Sequence, residues 1–368
     1  MAPLRRFAPP PREAGRIFSH QGFALAHVSS PPLWGGGPKG RRGAVQTNGC
    51  RFTTTDNYPV KVVLPERLKG IVSGLPGAQV AWYSDQESCL AAMPGAEVFW
   101  VDSGVGDIAK AIEAGADLKW VTTQGTGVDY WPLPLLQQRR LVLTNGAGIG
   151  AIPISEYVVM SLLAGLKGLP ELVRAQDRRE WLEPPPSLAE LYGKRALIYG
   201  YGGIGRAIAE RLKPFGVSVT GVRRNPGEEP GVIAVADWEA RLLETDLLIL
   251  SVPLTGATRA LVGASQLAKL PKGAWVANIA RGGLIDEAAL VASLKSGHLG
   301  GAYLDVTDPE PLPKESELWG LPNLILTPHS SWATEHQMER AAEIFLDNFE
   351  RYRRGEPLKN VVDLAAGY

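Results

Sequence analysis

Cysteine is almost absent from this chain of 368 residues, and its formal net charge is zero. Two cysteines, Cys50 and Cys89, cannot build a disulfide framework, so the sequence favours a reducing compartment. The 38 basic and 38 acidic residues give no electrostatic argument for binding nucleic acid or a membrane. No apolar run approaches the roughly 20 residues that cross a bilayer. We therefore expect a cytoplasmic globular protein, and its length predicts roughly two domains.

The first 57 residues differ from the rest in charge and composition. They hold eight basic and two acidic residues, include Pro9-Pro10-Pro11 and Gly35-Gly36-Gly37, and show no sustained helix or strand period. We interpret them as a disordered basic tail. Two alternatives stay open: an organellar transit peptide, although the prolines disfavour the helix that such a peptide forms, and a start codon assigned too early.

A glycine-rich turn lies at the centre of the remaining sequence. The apolar run Ala196–Tyr199 precedes the pattern G-x-G-x-x-G, a helical pattern follows it, and a second strand at Val217–Val222 completes a βαβ unit. In such a unit the glycines permit a tight turn, a close approach of pyrophosphate and close packing of helix on strand, and the helix start offers N–H groups to phosphate. The predicted dinucleotide site contains Gly200, Gly202, Gly203, Ile204 and Gly205.

Apolar runs alternate with helical patterns from residue 58 onward, which is typical of parallel sheets covered by helices. One long helical pattern runs from Ile154 to about Gly168 and continues irregularly toward Trp181. A last helix, about Thr334 to Arg354, has an apolar face that would pack on the first domain. Strands are predicted at Lys61–Pro65, Gln79–Tyr83, Glu97–Val101, Leu118–Thr123, Leu141–Thr144, Arg195–Tyr199, Val217–Val222, Leu247–Val252, Ala274–Ile279, Ala302–Val306 and Leu324–Thr327.

The residues after the second strand of the βαβ unit indicate which dinucleotide is bound. An acidic residue usually contacts the ribose hydroxyls there, but this chain has Arg223 and Arg224. Guanidinium groups bind a 2′-phosphate through forked hydrogen bonds, whereas a carboxylate repels it. The sequence therefore favours NADP(H), and NAD(H) stays an alternative.

Three residues that can carry chemistry follow later strands. Arg281, Glu310 and His329 each lie just beyond the end of a predicted strand, where parallel strands open on one crevice. His329 can exchange a proton near neutral pH, and Glu310 beside it would orient the ring and favour the imidazolium. Arg281 can hold a carboxylate and polarise a carbonyl. The pattern indicates proton transfer coupled to hydride transfer, and no metal is needed.

Five stretches together resemble the D-isomer-specific 2-hydroxyacid dehydrogenase family. They are Gly200–Gly205, Ser251–Thr255, Asn278–Asp286, Leu304–Val306 and Thr327–His329. The resemblance implies a two-domain α/β protein in which a Rossmann-type, doubly wound cofactor domain, residues 154–332, is inserted into a flavodoxin-like substrate domain, residues 58–153 plus 333–368. It also implies a homodimer.

The same resemblance implies roles for further residues. Arg281 would bind the substrate carboxylate and carbonyl, and His329 paired with Glu310 would be the acid/base. Backbone N–H groups near Ser103 and Gly104 would contact the substrate carboxylate, although Asp102 must then turn away. Cofactor contacts are implied for Val252, Pro253, Ala280 and Asp305, the last at the nicotinamide carboxamide.

The arginine pair resembles the glyoxylate/hydroxypyruvate reductase branch of the family. The sequence thus predicts reduction of a small 2-oxo acid to its D-2-hydroxy acid with NADPH. Two alternatives stay open: an NAD-dependent dehydrogenase of another 2-hydroxy acid, such as a phosphoglycerate-like one, and a dinucleotide-sensing protein that resembles the corepressors sharing this fold.

Overall fold

The computed structural model describes residues 59–72 and 74–368. The predicted tail, residues 1–57, lies outside the described residues, as does Cys50. The described strands are β1 (Val60–Pro65), β2 (Ala78–Tyr83), β3 (Val98–Val101), β4 (Trp120–Thr123), β5 (Val142–Thr144), β6 (Arg195–Tyr199), β7 (Ser218–Arg223), β8 (Val232–Ala234), β9 (Leu247–Leu250), β10 (Trp275–Asn278), β11 (Gly301–Leu304) and β12 (Leu324–Leu326). The described α-helices are α1 (Gln86–Ala92), α2 (Ile108–Ala114), α3 (Leu133–Gln138), α4 (Ala151–Leu166), α5 (Leu169–Arg178), α6 (Gly203–Leu212), α7 (Trp238–Arg241), α8 (Ala264–Lys269), α9 (Glu287–Lys295) and α10 (Gln337–Arg353).

The first sheet is parallel throughout, with the strand order β2-β1-β3-β4-β5. Its central strands β3 and β4 are buried along their whole length, as expected where helices cover both faces of a parallel sheet. The last helix, α10, covers one face: the Phe345 ring lies 5.4 Å from that of Trp120 and 5.1 Å from that of Trp100. The predicted return of this helix onto the first domain is confirmed.

The second sheet lies, in sequence, between β5 and α10, both of which belong to the first domain. All its strands are parallel, in the order β12-β11-β10-β9-β6-β7-β8. Because β6 pairs with β7 on one side and with β9 on the other, the strand order reverses at β6. Ligands of doubly wound sheets bind at such a switch point. The predicted α/β fold class, with a Rossmann-type sheet, is confirmed.

The helical pattern predicted from Ile154 to about Gly168 corresponds to α4, and its irregular continuation toward Trp181 forms a separate helix, α5. The structure contains two helices, α4 and α5, bent by 63° relative to each other. Gly168 between them has a φ of +67°, a left-handed conformation that ends a helix, and Pro170 lies in the first turn of the next one. Among the described residues, no single helix is long and apolar enough to cross a membrane; only this bent pair reaches that length and composition.

Candidate active site

The carboxyl ends of strands from both sheets open on one cavity of about 660 Å³. Small-molecule sites typically have volumes of roughly 300–1,000 Å³. Of the residues predicted from the sequence, the cavity is lined by Ser103, Ile204, Val252, Pro253, Ala280, Arg281, Asp305 and His329. The other predicted residues lie outside this lining: Gly104, Gly200, Gly202, Gly203, Gly205, Arg223, Arg224 and Glu310.

The glycine turn between β6 and α6 is shaped to approach an anion. Gly200 has a φ of +105°, and a Cβ there would lie 2.2 Å from the Ser251 carbonyl oxygen. A Cβ on Gly205 would lie 2.3 Å from the Gly200 carbonyl oxygen, so α6 packs directly on β6. At Gly202, by contrast, no atom lies within 4 Å of the Cβ position. The start of α6 therefore presents its first N–H groups beside open space, which fits a dinucleotide pyrophosphate.

A basic cluster made of Arg206, Arg223 and Arg224 lies at the end of β7. Arg206 forms a two-pronged ion pair with Glu229, and this hydrogen bonding is the main reason why the pKa of the Glu229 carboxyl is lowered. Arg223 Nη1 lies 3.9 Å from the same carboxylate. Arg224 lies over the ring of Tyr368, 5.3 Å from its centroid. The cluster keeps a net positive charge, which favours an anion such as a phosphate.

The loop that carries Arg281 is fixed from beneath. The fully buried Asn278 donates through Nδ2 to the Arg281 carbonyl oxygen at 2.8 Å and accepts from the Ala280 N–H at 3.1 Å. A Cβ on Gly282 would lie 2.1 Å from the Thr307 carbonyl carbon. The glycine that follows Arg281 therefore lets this loop meet the loop that leads to Glu310.

The side chain of Arg281 is held by an acidic residue of the other domain. Arg281 donates from Nε and Nη2 to Asp129 Oδ2 and Oδ1 at 3.1 and 2.8 Å, and from Nη1 to the Ala280 carbonyl oxygen at 2.7 Å. The hydrogen bond to Asp129 raises the pKa of Arg281, and the same bond lowers the pKa of Asp129. A Cβ on Gly127 would lie 1.8 Å from Arg281 Nη2, so only glycine leaves room for this contact.

His329 and Glu310 form a pair at the mouth of the second sheet. His329 Nδ1 lies 2.8 Å from Glu310 Oε2, and Glu310 Oε1 accepts from the Thr307 N–H at 3.0 Å. The φ of His329 is +49°, an uncommon left-handed conformation held by its N–H bond to the Asp305 carbonyl oxygen at 2.7 Å. Trp332 donates from Nε1 to the His329 carbonyl oxygen at 2.6 Å. With Nδ1 engaged, Nε2 is the ring nitrogen that is free to meet a ligand in the cavity.

Asp305 supports the turn that carries His329. Its side chain is buried and accepts hydrogen bonds from Thr327 Oγ1 at 2.6 Å, from the Ser330 N–H at 2.9 Å and from the Ser331 N–H at 3.1 Å. The structure thus gives this carboxylate a positioning role. Its predicted contact with the nicotinamide carboxamide stays a prediction.

In the predicted substrate loop after β3, the negative charge of Asp102 is paired with a basic side chain. Asp102 lines the cavity, forms an ion pair with Arg67 and accepts from the Ser103 N–H. Ser103 lines the cavity. Gly104 does not, because its backbone packs against Ser84, whose carbonyl oxygen would lie 2.9 Å from a Cβ on Gly104.

A second loop, after β4, has an unsatisfied polar atom beside the cavity. Gln124 lines the cavity, and its Oε1 is buried without a hydrogen-bond partner among the described residues. The loop itself is braced by the Asn145 side chain, which donates to the Thr126 carbonyl oxygen at 2.8 Å. A buried acceptor without a donor fits a bound ligand that supplies one. Within residues 59–72 and 74–368, no group of three or more His, Cys, Asp or Glu side chains could hold a metal ion.

Comparison with known proteins shows which protein family the chain belongs to. The model described as "D-isomer specific 2-hydroxyacid dehydrogenase, NAD binding domain" matches residues 159–331. Glycerate dehydrogenase of Methylorubrum extorquens is 33% identical over 256 residues, which cover 67% of this chain and 79% of that protein. The chain belongs to the D-isomer-specific 2-hydroxyacid dehydrogenase family.

Other members of this dehydrogenase family differ from the chain in length. D-3-phosphoglycerate dehydrogenase of Methanocaldococcus jannaschii is 33% identical over 290 residues, which cover 78% of this chain. The chain spans only 55% of the length of that protein.

Solved structures of the dehydrogenase family have the same fold. A family protein from Aeromonas salmonicida superposes with a TM-score of 0.74 at 32% identity, covering 83% of this chain and 99% of that one. An NADPH-dependent glyoxylate/hydroxypyruvate reductase from Sinorhizobium meliloti, in complex with NADP and sulfate, gives a TM-score of 0.72 at 29% identity, covering 84% and 100%.

Three residues of this site were not predicted from the sequence: Asp129, Glu229 and Tyr368. Asp129 is separated from Arg281 by 152 positions, so no local pattern connects them. One signal was available, because Asp129 closely follows the glycine-rich end of β4, at the same edge of the first sheet as the substrate loop. Tyr368 belongs to the segment after α10 and gave no comparable signal.

Proposed function

We propose that this family member reduces a small 2-oxo acid, of the glyoxylate or hydroxypyruvate type, to the D-2-hydroxy acid. One observation supports this above all: the Arg281 guanidinium and the His329 ring line one cavity beside the glycine turn. A nicotinamide dinucleotide bound at that turn would supply the hydride.

The hydrogen bonds of Arg281 and His329 support a separate role for each side chain in this reaction. Asp129 and the Ala280 carbonyl oxygen occupy Nε and one donor on each terminal nitrogen of Arg281. A guanidinium has five N–H donors, so one remains on Nη1 and one on Nη2. These two donors form the end-on edge that can bind the carboxylate of a substrate. His329 Nε2 then donates a proton to the carbonyl oxygen, and Glu310 keeps the ring in place through Nδ1.

We further propose a preference for NADPH over NADH. Arg224 has no ion-pair partner among the residues that the structure describes, and it lies where an acidic residue would contact the ribose of NADH. The similarity to an NADPH-dependent reductase supports the same proposal. The opposing feature is Glu229, whose carboxylate lies 3.9 Å from Arg223 and could favour an unphosphorylated ribose.

Initial rates test these proposals directly. Glyoxylate, hydroxypyruvate, pyruvate and a bulkier 2-oxo acid would each be assayed with NADPH and with NADH. We expect turnover that favours the small acids and NADPH. Equal rates with both cofactors would contradict the NADPH preference, and turnover only of the bulky acid would contradict the substrate class. Tight dinucleotide binding without turnover of any acid would instead support a sensing protein.

We also propose that the protein forms a homodimer through α5 and the segment that follows it. Three side chains of this segment are strongly exposed, Trp181 at 92%, Leu188 at 86% and Tyr192 at 79%. Leu169, Leu172 and Val173 of α5 are exposed as well. Apolar patches of this kind mark protein interfaces. Light scattering should show a dimer that Trp181→Glu converts to a monomer, and a monomeric unchanged chain would refute the proposal.

A further inference from the structure

The segment after α10 delivers a tyrosine to the nucleotide end of the cleft. Val361 pairs with Thr144 of β5, which ties the segment to the first sheet. Beyond it, Asp363 organises a tight turn: its carbonyl oxygen accepts from the Gly367 N–H at 2.8 Å, and its own N–H donates to the Tyr368 carbonyl oxygen at 3.0 Å. Tyr368 is thus presented by a hydrogen-bonded turn of the substrate domain.

The ring of Tyr368 reaches across to the cofactor domain. It lines the cavity and lies beneath the Arg224 guanidinium, whose central carbon is 5.3 Å from the ring centroid. This distance is within the range of a cation–π interaction. The neighbouring Arg223 has a different environment, because its Nη1 lies 3.9 Å from the Glu229 carboxylate, which Arg206 already binds.

The two kinds of partner leave an arginine in different chemical states. The Glu229 carboxylate, at 3.9 Å, is too far from Arg223 for a hydrogen bond but compensates part of its positive charge. The N–H donors in the guanidinium plane are the ones that form forked bonds to phosphate. An aromatic face contacts the guanidinium as a cation and leaves those donors free. Arg224 is therefore held in position with its charge uncompensated and its donors available.

From this contrast we propose that Tyr368 is a specificity-determining residue for the adenosine 2′-phosphate: its ring holds Arg224 in the orientation that binds the phosphate. This inference rests on the proposed NADPH preference. It makes the selectivity of the cofactor domain depend on a side chain of the substrate domain, 144 positions away in sequence.

Nucleotide fragments test the proposal without any turnover. Calorimetry would give the dissociation constants of adenosine 2′,5′-bisphosphate and of 5′-AMP for the full chain and for Tyr368→Leu. We expect the bisphosphate to bind roughly two- to fivefold more weakly to the variant, the range set by an exposed cation–π contact, and 5′-AMP to bind equally well. Tyr368→Phe, which keeps the aromatic face, should bind both as the unchanged chain does.

Two backgrounds identify the arginine involved. In Arg224→Ala, the further change Tyr368→Leu should have no effect, because its target is gone. In Arg223→Ala, a matched control with the neighbouring arginine, Tyr368→Leu should keep its full effect. Equal weakening of both nucleotides by Tyr368→Leu, or an effect that persists in Arg224→Ala, would overturn the proposal.

Failure of this inference can be told apart from failure of the proposed function. If the unchanged chain prefers the bisphosphate and loses that preference in Arg224→Ala, while Tyr368→Leu changes nothing, only the role of Tyr368 is refuted. If the unchanged chain binds both nucleotides equally and Arg224→Ala alters neither, the NADPH preference and the inference fall together.

Discussion

Replacing Asp129 by Asn separates two roles that this carboxylate could have toward Arg281. If Asp129 positions the guanidinium for the substrate, its loss weakens substrate binding. If it competes with the substrate carboxylate for the same donors, its loss strengthens binding. The hydrogen bonds favour the first role, because Asp129 occupies Nε and one donor on Nη2 and leaves the end-on edge of Arg281 open. We therefore expect KM for the 2-oxo acid to rise.

The expected rise in KM can be worked out from the solvent exposure of the Arg281–Asp129 ion pair. The Arg281 and Asp129 side chains are 28% and 46% exposed, so solvent screens their attraction and the pair is worth about 1 kcal/mol, the upper end for exposed ion pairs. If loss of the ion pair destabilises the substrate-binding rotamer of Arg281 by about 1 kcal/mol, the apparent substrate affinity falls by about fivefold. NADPH binding, which uses the other end of the cleft, should not change.

Steady-state kinetics with glyoxylate and saturating NADPH measure this effect. The control is Asp347→Asn, since Asp347 and Arg351 form an ion pair of 3.0 Å with similar exposures, 42% and 30%, on α10 outside the cavity lining. Asp347→Asn should leave KM unchanged. A KM that falls or stays constant in Asp129→Asn would refute the positioning role, and a fall would show competition.

Three other outcomes are expected from the same geometry. His329→Asn, in which Asn tolerates the left-handed backbone, should lower kcat by roughly 10²- to 10⁴-fold and leave the NADPH dissociation constant unchanged; near-normal kcat would contradict the acid/base role. Gly127→Ala should displace the Arg281 guanidinium and lower kcat/KM roughly 10- to 100-fold, while denaturant unfolding shows a change of no more than about 1 kcal/mol, because the obstructing atoms end a flexible side chain. Because the pKa of Asp129 is lowered in the folded protein, its ion pair adds stability at pH values above the ordinary carboxyl pKa of 3.8, and this stability is lost as the pH falls through the lowered pKa. The unfolding free energies of the unchanged chain and of Asp129→Asn should therefore converge below about pH 4. A difference that stays constant from pH 7 to pH 3 would contradict this linkage.

The parts of the fold that could be predicted from sequence are those encoded by local pattern. Strands such as β3 and β9 are continuous apolar runs, and the structure places them within a residue or two of the predicted bounds. The short strand β8, three residues long, was not predicted although it opens the apolar run Val232–Ala236. The break between α4 and α5 lies at Gly168, where the predicted helical pattern becomes irregular, but the sharp change of direction there was not predicted.

In the candidate site, too, the residues that local sequence patterns place were predicted and the others were not. Arg281, Glu310 and His329 could be predicted because each follows a strand of one parallel sheet, and the topology of that sheet alone brings strand ends together. Asp129 belongs to the other sheet, and its distance from Arg281 depends on how the two domains pack. Sequence patterns report the neighbours that a sheet creates and carry no comparable signal for a contact made across a cleft.

Because Asp129 and Arg281 belong to different domains, the position of the guanidinium depends on how the domains pack. Arg281 is held by its own domain through Asn278 at the backbone and through the Ala280 carbonyl oxygen at Nη1, while Asp129 of the other domain binds Nε and Nη2. Any movement that separates the two domains therefore breaks the two hydrogen bonds from the guanidinium to Asp129 and leaves His329 and Glu310 intact as a pair. In an open cleft the proton-transfer pair is ready but the carboxylate anchor is not. We therefore expect closure of the cleft to control substrate orientation rather than acid/base competence.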